Sequence, residues 1–495
     1  MGIIIRQSVR STVVSYIGVA LGFIVTIWLY PRILTAEEYG LTRVIISLAA
    51  VSSQFAKLGI DNTIIRYFPY FNDEVKDHHG FLFLILIIPL TGFLLLAIVL
   101  LAGQDFIIQY FEEHSGLLVN YYLLLLPMVL FSLFFNVLTN FIKVLQNIVA
   151  ATFLNEVFAR ILVVISLALY FVGWINFQQF MILFVLNYGV ILVMLTIYLF
   201  RNYKVSLRPD FYFLNKPLLK NIAQYGLFAF MGGVASIAVA NIDIIMLSAL
   251  AGLEDTGIYA IAFYVGSAIT ISRKSIYNIS SPIIADAFKE KDYALIDDIY
   301  KRSSLNQLIG GGLLFCGILA NLDNLMRLLP PEYAGGSIVI ILIASAYLFD
   351  MTTGLNGAII LNSERYRFDL YSTLFLIAVT ITLNYLLIPD YGILGAAIGT
   401  ATAIFLYNLM KVIFVAVFFD MQPFKVSMAA VILIGATVLL MSSQVGLMLN
   451  VYVDLLVRSA LICLLYIGAV LMTNISDDFN GMVFGIWNKY KKYIF

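Results

Sequence analysis

Charged residues make up only 12% of this 495-residue chain, about half the share found in an ordinary soluble domain, and that deficit excludes a soluble fold. Cysteine is nearly absent. Cys316 and Cys463 both lie inside apolar runs and read as small packing residues rather than as a disulfide or a metal site. Histidine is as scarce: His114 stands alone, and His78-His79 has no further ligands at useful spacing, so neither a Ser/His/Asp set nor a metal motif can be drawn. There is no GxxxxGK[ST] loop, which excludes ATP hydrolysis of the P-loop kind, and no HExxH, paired CxxC or EF-hand pattern. Net charge is zero, so bulk charge names no partner, and no nucleic acid is expected. Long polar loops are missing too. A membrane enzyme that polymerises sugars needs polar surface for its acceptor, so transport is the leading class and a glycan polymerase or scaffold the alternative from another class.

What the chain does have is apolar length: 62% hydrophobic residues and a mean hydropathy of +0.97. A spanning helix needs about twenty mostly apolar residues. Fourteen such segments are expected, near 11–30, 41–56, 81–102, 117–137, 152–172 and 180–200, then 222–248, 258–279, 305–324, 337–358, 370–388 and 393–415, and last 428–447 and 453–473. The first follows Arg6 and Arg10 with no small-residue cleavage site after it, so it is expected to stay as a spanning helix. With the N-terminus inside, and with Arg273, Lys274 and Lys411 counted there because they stand at the inner ends of their spans, 24 Lys and Arg fall on the inside and only Arg32 and Arg327 outside; Arg43, Arg160 and Arg458 lie in spans and complete the 29. This bias predicts both termini in the cytoplasm and supports an even number of spans. Ile283 to Ser304 reads as an amphipathic helix lying along the cytoplasmic surface, and the aromatic, cationic run 487–493 as an interfacial anchor.

The chain also repeats itself. Glu37-Glu38-Tyr39-Gly40 matches Glu254-Asp255-Thr256-Gly257 without a gap, 217 residues later, and Lys57 falls on Lys274. Two copies of six helices each predict an N-terminal lobe over 1–205, a C-terminal lobe over 206–420, and an added helix pair with a cytoplasmic tail over 421–495. An even repeat keeps both lobes in one orientation and implies a cavity between them. Gly40 and Gly257 are expected to end their turns in backbone conformations that disfavour a side chain. Gly310-Gly311-Gly312 and Gly395 to Gly399 read as close helix contacts.

Ionisable residues inside spans are costly unless they face protein or water, which makes them the site candidates. Arg160, Arg273, Arg43 and Lys274 are candidate cavity cations, suited to an anionic cargo and to a pyrophosphate above all. Each has a structural alternative. Arg160 can pair with Glu156 one turn away, Arg273 and Lys274 can snorkel to the cytoplasmic headgroups, and Arg43, near the outer end of its helix, can reach the outer interface. Asp243, Asp350 and Glu156 are candidate ion-coupling groups or counter-charges, and Asn155 and Asn241 candidate polar groups of the cavity.

The helix QSVRSTVVSYIGVALGF, the turn PRILTAEEYGL, the run GIDNTIIRYFPYF and the later YGILGAAIGTA together resemble bacterial Wzx-type oligosaccharide (O-antigen) flippases. These belong to the polysaccharide transporter family of the multidrug/oligosaccharidyl-lipid/polysaccharide (MOP) superfamily. The resemblance implies an all-α polytopic membrane protein of MOP/MATE-like fold in the bacterial plasma membrane. It implies a cargo of undecaprenyl-pyrophosphate-linked oligosaccharide, alternating access, and membrane lipids and other polysaccharide assembly proteins as partners. No cofactor is implied beyond a coupling ion, Na+ or H+. A cation-coupled multidrug exporter and a lipid II flippase of the same superfamily remain open alternatives.

Overall fold

A computed structural model describes residues 2–481 except 74, 211, 212, 214, 215, 447 and 449, together with 483 and 485. The run at 487–493 lies outside the described residues. Among those described the regular structure is all helical, with no strand, and it divides into two compact units, Met1–Gly257 and Ile258–Phe495.

The first unit is built on α1 (Gly2–Phe23), α2 (Ala36–Lys57), α3 (Ile60–Phe71), α4 (Phe81–Ala102), α5 (Leu125–Val144), α6 (Ala159–Phe171), α7 (Phe177–Asn202) and α8 (Lys216–Leu250); α9 (Leu253–Ser267) starts in it. The second holds α10 (Arg273–Glu290), α11 (Tyr293–Ala320), α12 (Gly336–Thr352), α13 (Asn356–Asn362), α14 (Arg367–Phe419), α15 (Val426–Ser443) and α16 (Val451–Met472). On α4 the side chains of Leu94, Leu95, Ile98 and Val99 are all more than half exposed. Such a surface would be an aggregation site in water and is the expected face toward hydrocarbon. The chain is a multi-pass membrane protein.

Among the described residues ten helices are long and apolar enough to cross a membrane, or twelve if each of two bent pairs is one span. The fourteen expected segments are all helical but do not map one to one onto these. The eleventh and twelfth merge in the 53-residue α14, kinked at Gly392, where φ is +51°. The eighth is broken: α9 stops at Ser267, a 3-10 turn covers Ala268–Ser272, and α10 restarts at Arg273. The second segment is one arm of a bent pair. After α2 the chain turns by 43° through Leu58 and Gly59, both left-handed, into α3. Gly59 is required twice over there, since a Cβ would also lie 1.9 Å from the Gly226 carbonyl oxygen.

Two further expectations are corrected. The stretch 283–304 is not one surface helix. It belongs to α10 up to Glu290 and to α11 from Tyr293, with Lys291 in the left-handed region and the Asp292 carboxylate accepting the Leu295 N–H at 2.9 Å. Ile296 is fully buried in it. Gly40 and Gly257 do not end turns; both lie inside helices and neither has a positive φ. What excludes a side chain is the other copy of the repeat. A Cβ on Gly40 would lie 1.9 Å from the Leu253 carbonyl oxygen, and one on Gly257 2.0 Å from that of Ala36. Leu253 is the repeat mate of Ala36, so the contact is reciprocal, and all four residues belong to the first unit. The glycine clusters do pack closely: Gly311 faces Met351, Gly312 faces Tyr466, and Gly395 faces the Leu387 carbonyl.

Candidate functional site

The site candidates fall into two sets, one in each unit. In the first unit the chain widens into a π-helical turn at Leu154–Phe158 before α6. Such turns displace the following side chains and recur at functional positions. This one carries Asn155 and Glu156 and leads to Arg160. The Arg160 guanidinium donates to the Glu156 carboxylate at 2.7 Å and to the Glu156 main-chain carbonyl, and the Asn155 amide donates to the other carboxylate oxygen at 3.2 Å. Gly18 of α1 lies over the pair, where a Cβ would come within 2.9 Å of Arg160 Nη1. Arg160 is therefore paired as its structural alternative requires, yet about 28% of its side chain stays accessible, so the charge is not sealed in. Asn155, expected in a buried polar cavity, is exposed on the widened turn.

Arg43 on α2 lies 5.9 Å from the Tyr39 ring centroid, and Tyr39 packs on Tyr30 at 4.8 Å. Asp243 is buried in α8, and Asn241 donates to the Ile237 carbonyl of its own helix at 2.9 Å.

In the second unit Arg273 is the first residue after the 3-10 turn, and its guanidinium bonds the Asp350 carboxylate of α12. Asp350 is 5% exposed, whereas the Arg273 side chain is 39% exposed, so the pair presents its cation and buries its anion. Lys274 beside it is exposed. Below Asp350 a polar chain continues that the sequence did not reveal. Thr353 donates to the Asp350 carbonyl at 2.8 Å and stands 3.0 Å from the Asn408 side-chain oxygen, and Asn356 donates to Thr353 at 3.1 Å. One turn along, Lys411 is buried and bonds Asp369 at 2.7 Å and the Tyr407 hydroxyl at 2.5 Å. The available signal was polar side chains at 353, 408 and 411 within apolar runs.

Two other buried cations are held by packing partners. Lys57 at the end of α2 is buried, paired with Asp61 at 2.9 Å, and Asn140 of α5 donates to the same carboxylate at 2.8 Å. Arg458 of α16 donates to the Ser442 and Val445 carbonyls at 2.9 Å, where α15 ends, and contacts the fully buried Asp454. A cation on orphan carbonyls at a helix C-terminus satisfies that end. Among the described residues no group of three or more His, Cys, Asp or Glu stands where it could hold a metal ion.

Residues 5–288 match the family model described as polysaccharide biosynthesis protein. An uncharacterized membrane protein of Methanocaldococcus jannaschii is 23% identical over 438 residues, covering 82% of this chain and 83% of its own. Among solved structures the fold is similar to the lipid II flippase MurJ in its inward closed conformation, with a TM-score of 0.71 at 14% identity over 98% of this chain and 100% of that one. It is also similar to an inward-facing multidrug resistance MATE family transporter of the MOP superfamily, with a TM-score of 0.61 at 13% identity over 84% and 98%.

Proposed function

Since the chain belongs to the polysaccharide biosynthesis protein family, we propose that it is a flippase, which turns undecaprenyl-pyrophosphate-linked oligosaccharide from the inner to the outer leaflet of a bacterial plasma membrane by alternating access. The family match over residues 5–288 carries this reading, and the MOP-type fold supports it. A sugar head cannot cross hydrocarbon unaided, because each hydroxyl that loses its hydrogen bonds costs a few kcal/mol. A protein path must therefore offer polar partners to the sugar and cations to the pyrophosphate. Arg160 and Arg273 supply those cations, with Arg43 and Lys274 as secondary contributors. Each guanidinium is held by a carboxylate yet accessible, which keeps it oriented for bidentate contact with phosphate oxygens. Asp243, Asp350 and Glu156 are the groups through which Na+ or H+ would couple to transport, and Asn241 and Asn155 would bond sugar hydroxyls. The protein acts as a transporter rather than an enzyme, alongside the proteins that build and polymerise the glycan, with both its termini in the cytoplasm.

A second reading takes lipid II as the cargo, and its support is the likeness to a lipid II flippase along nearly the whole chain. Depletion of the protein followed by a leaflet assay of lipid-linked glycans separates the two. The proposed function predicts surface-polysaccharide precursors building up on the cytoplasmic side while peptidoglycan synthesis continues. Accumulation of lipid II instead would replace it with the second reading, and no accumulation of either would overturn both.

A further inference from the structure

Two cavities of opposite character open in the first unit, neither containing any of the candidate cations above. A polar one of about 860 Å³ is lined by Asn72, Asp77, Gln146, Asn202, Tyr203 and Lys204, at the ends of α3, α5 and α7. An apolar groove of about 570 Å³ runs between α4, α5 and α7, lined by Leu82, Leu86, Leu138, Leu192, Leu199 and Leu207. Leu199 lines the groove and Asn202, one turn on along the same face of α7, lines the polar cavity, a rise of about 4.5 Å.

The segment after α7 joins the two. Tyr203 and Lys204 face the polar cavity and Leu207 the groove, so at most roughly 11 Å of extended chain separates the two linings. The segment is pinned beyond Leu207: a Cβ on Gly80 would lie 2.2 Å from the Arg208 carbonyl oxygen, and His79 Nδ1 stands 2.9 Å from the Asp210 carboxylate while its ring stacks on Phe213 at 4.0 Å. Lys76, Lys143, Arg201 and Lys204 are all exposed beside the polar cavity. Against these four cations stand the described carboxylates of the same loop, Asp77 and Asp73, and Asp73 faces His79 at 3.8 Å.

We propose that this pair of cavities is one binding site for an anionic glycerophospholipid. One acyl chain lies in the groove beneath Leu207, and the phosphate and its substituent sit in the polar cavity against Lys204 and the amides of Asn72, Gln146 and Asn202. A zwitterionic lipid fits the groove equally but brings its own cation to a cavity lined by Lys204, with Lys76, Lys143 and Arg201 exposed beside it. Basic pockets between helix ends select anionic headgroups for this reason. The occupied site would clamp the segment 203–210, which leads from α7 toward α8, to the start of α4.

The test is native mass spectrometry of the full chain in mild detergent, titrated with phosphatidylglycerol or phosphatidylethanolamine carrying the same acyl chains. Phosphatidylglycerol is expected to bind at least about fivefold more tightly, the factor one surface lysine supplies. Lys204→Gln removes that preference and leaves phosphatidylethanolamine binding unchanged. Thr196→Phe fills the groove and weakens both lipids; if that variant fails to fold, Leu86→Trp serves the same end. Equal binding of the two lipids by the unmodified protein, a preference that survives Lys204→Gln, or full binding with the groove filled would each overturn the proposal. The readout is binding alone, so it stands or falls separately from the transport reading.

Discussion

At Thr35 the first copy of the repeat caps its helix with side chains: the Thr35 hydroxyl accepts the Glu38 N–H at 3.2 Å and Glu38 accepts the Thr35 N–H at 3.0 Å. At the matching Gly252 the second copy has no side chain to offer. It uses a glycine with φ +106°, whose carbonyl accepts the Thr256 hydroxyl at 2.7 Å. The far ends diverge more. The first copy stays helical to Lys57, buries that cation against Asp61, and only then breaks at Leu58-Gly59. The second breaks earlier, at Ala268–Ser272, and the restart presents Arg273 and Lys274 to an accessible face, with only Arg273 tied to a buried acid. Matching positions thus hold a cation in both copies, one absorbed into packing and one left available. The reciprocal glycine contact at the near ends stays common to both, because any side chain there would strike a backbone.

Breaking the shared feature should have the largest effect. Gly40→Val and Gly257→Val are each expected to cost at least about 3 kcal/mol, read as loss of monodisperse protein in detergent, while Gly116→Val, with open space around it, is tolerated. Equal tolerance at all three positions would remove the reciprocal contact as the reason for these glycines. The matched lysines come next. Lys57→Met strands Asp61 and should lower stability by about 2–3 kcal/mol, and adding Asp61→Leu should recover most of it. Lys274→Met should change stability by less than about 0.5 kcal/mol. Thermal unfolding of the three variants checks this, and a similar loss from both single lysine variants would erase the contrast.

Smaller effects sharpen the caps. Thr35→Ala should cost about 1 kcal/mol. Asp255, partly buried beside Glu254, has a carboxyl held above its usual range, first by burial and then by that neighbour. A carboxyl raised in the folded state costs stability as pH climbs from its unfolded to its folded pKa. Asp255→Asn should therefore stabilise slightly at neutral pH, within about 0.5 kcal/mol after solvent screening, and lose that advantage in acid. A melting temperature lowered by Asp255→Asn at pH 7 would contradict this.

The all-helical class, the places of the apolar segments and the repeat could be read from residue order, because hydropathy over twenty residues and a gapless match are both local signals. The reason for Gly40 and Gly257 could not, since it lies in the other copy of the repeat, at Leu253 and Ala36. The break at Lys291-Asp292 carries neither glycine nor proline, so the run 283–304 gave no local warning of it. For the site, pairing of Arg160 with Glu156 was legible at i,i+4, whereas the bond from Arg273 to Asp350 spans 77 residues and the contact of Thr353 with Asn408 spans 55. Polar residues in apolar runs announce that partners exist. Only the packing of helices says which.

Arg273 is proposed as a cation for the pyrophosphate rather than only a partner for Asp350. The direct measurement is leaflet transfer of undecaprenyl-pyrophosphate-linked oligosaccharide by the full chain reconstituted in liposomes, comparing the unmodified protein, Arg273→Gln, and the double variant Arg273→Gln with Asp350→Asn. Transfer is expected to fall roughly tenfold or more in both variants, because neutralising Asp350 restores packing but not the phosphate contact. Transfer at the unmodified rate by the double variant would contradict it and leave the pair a purely structural one.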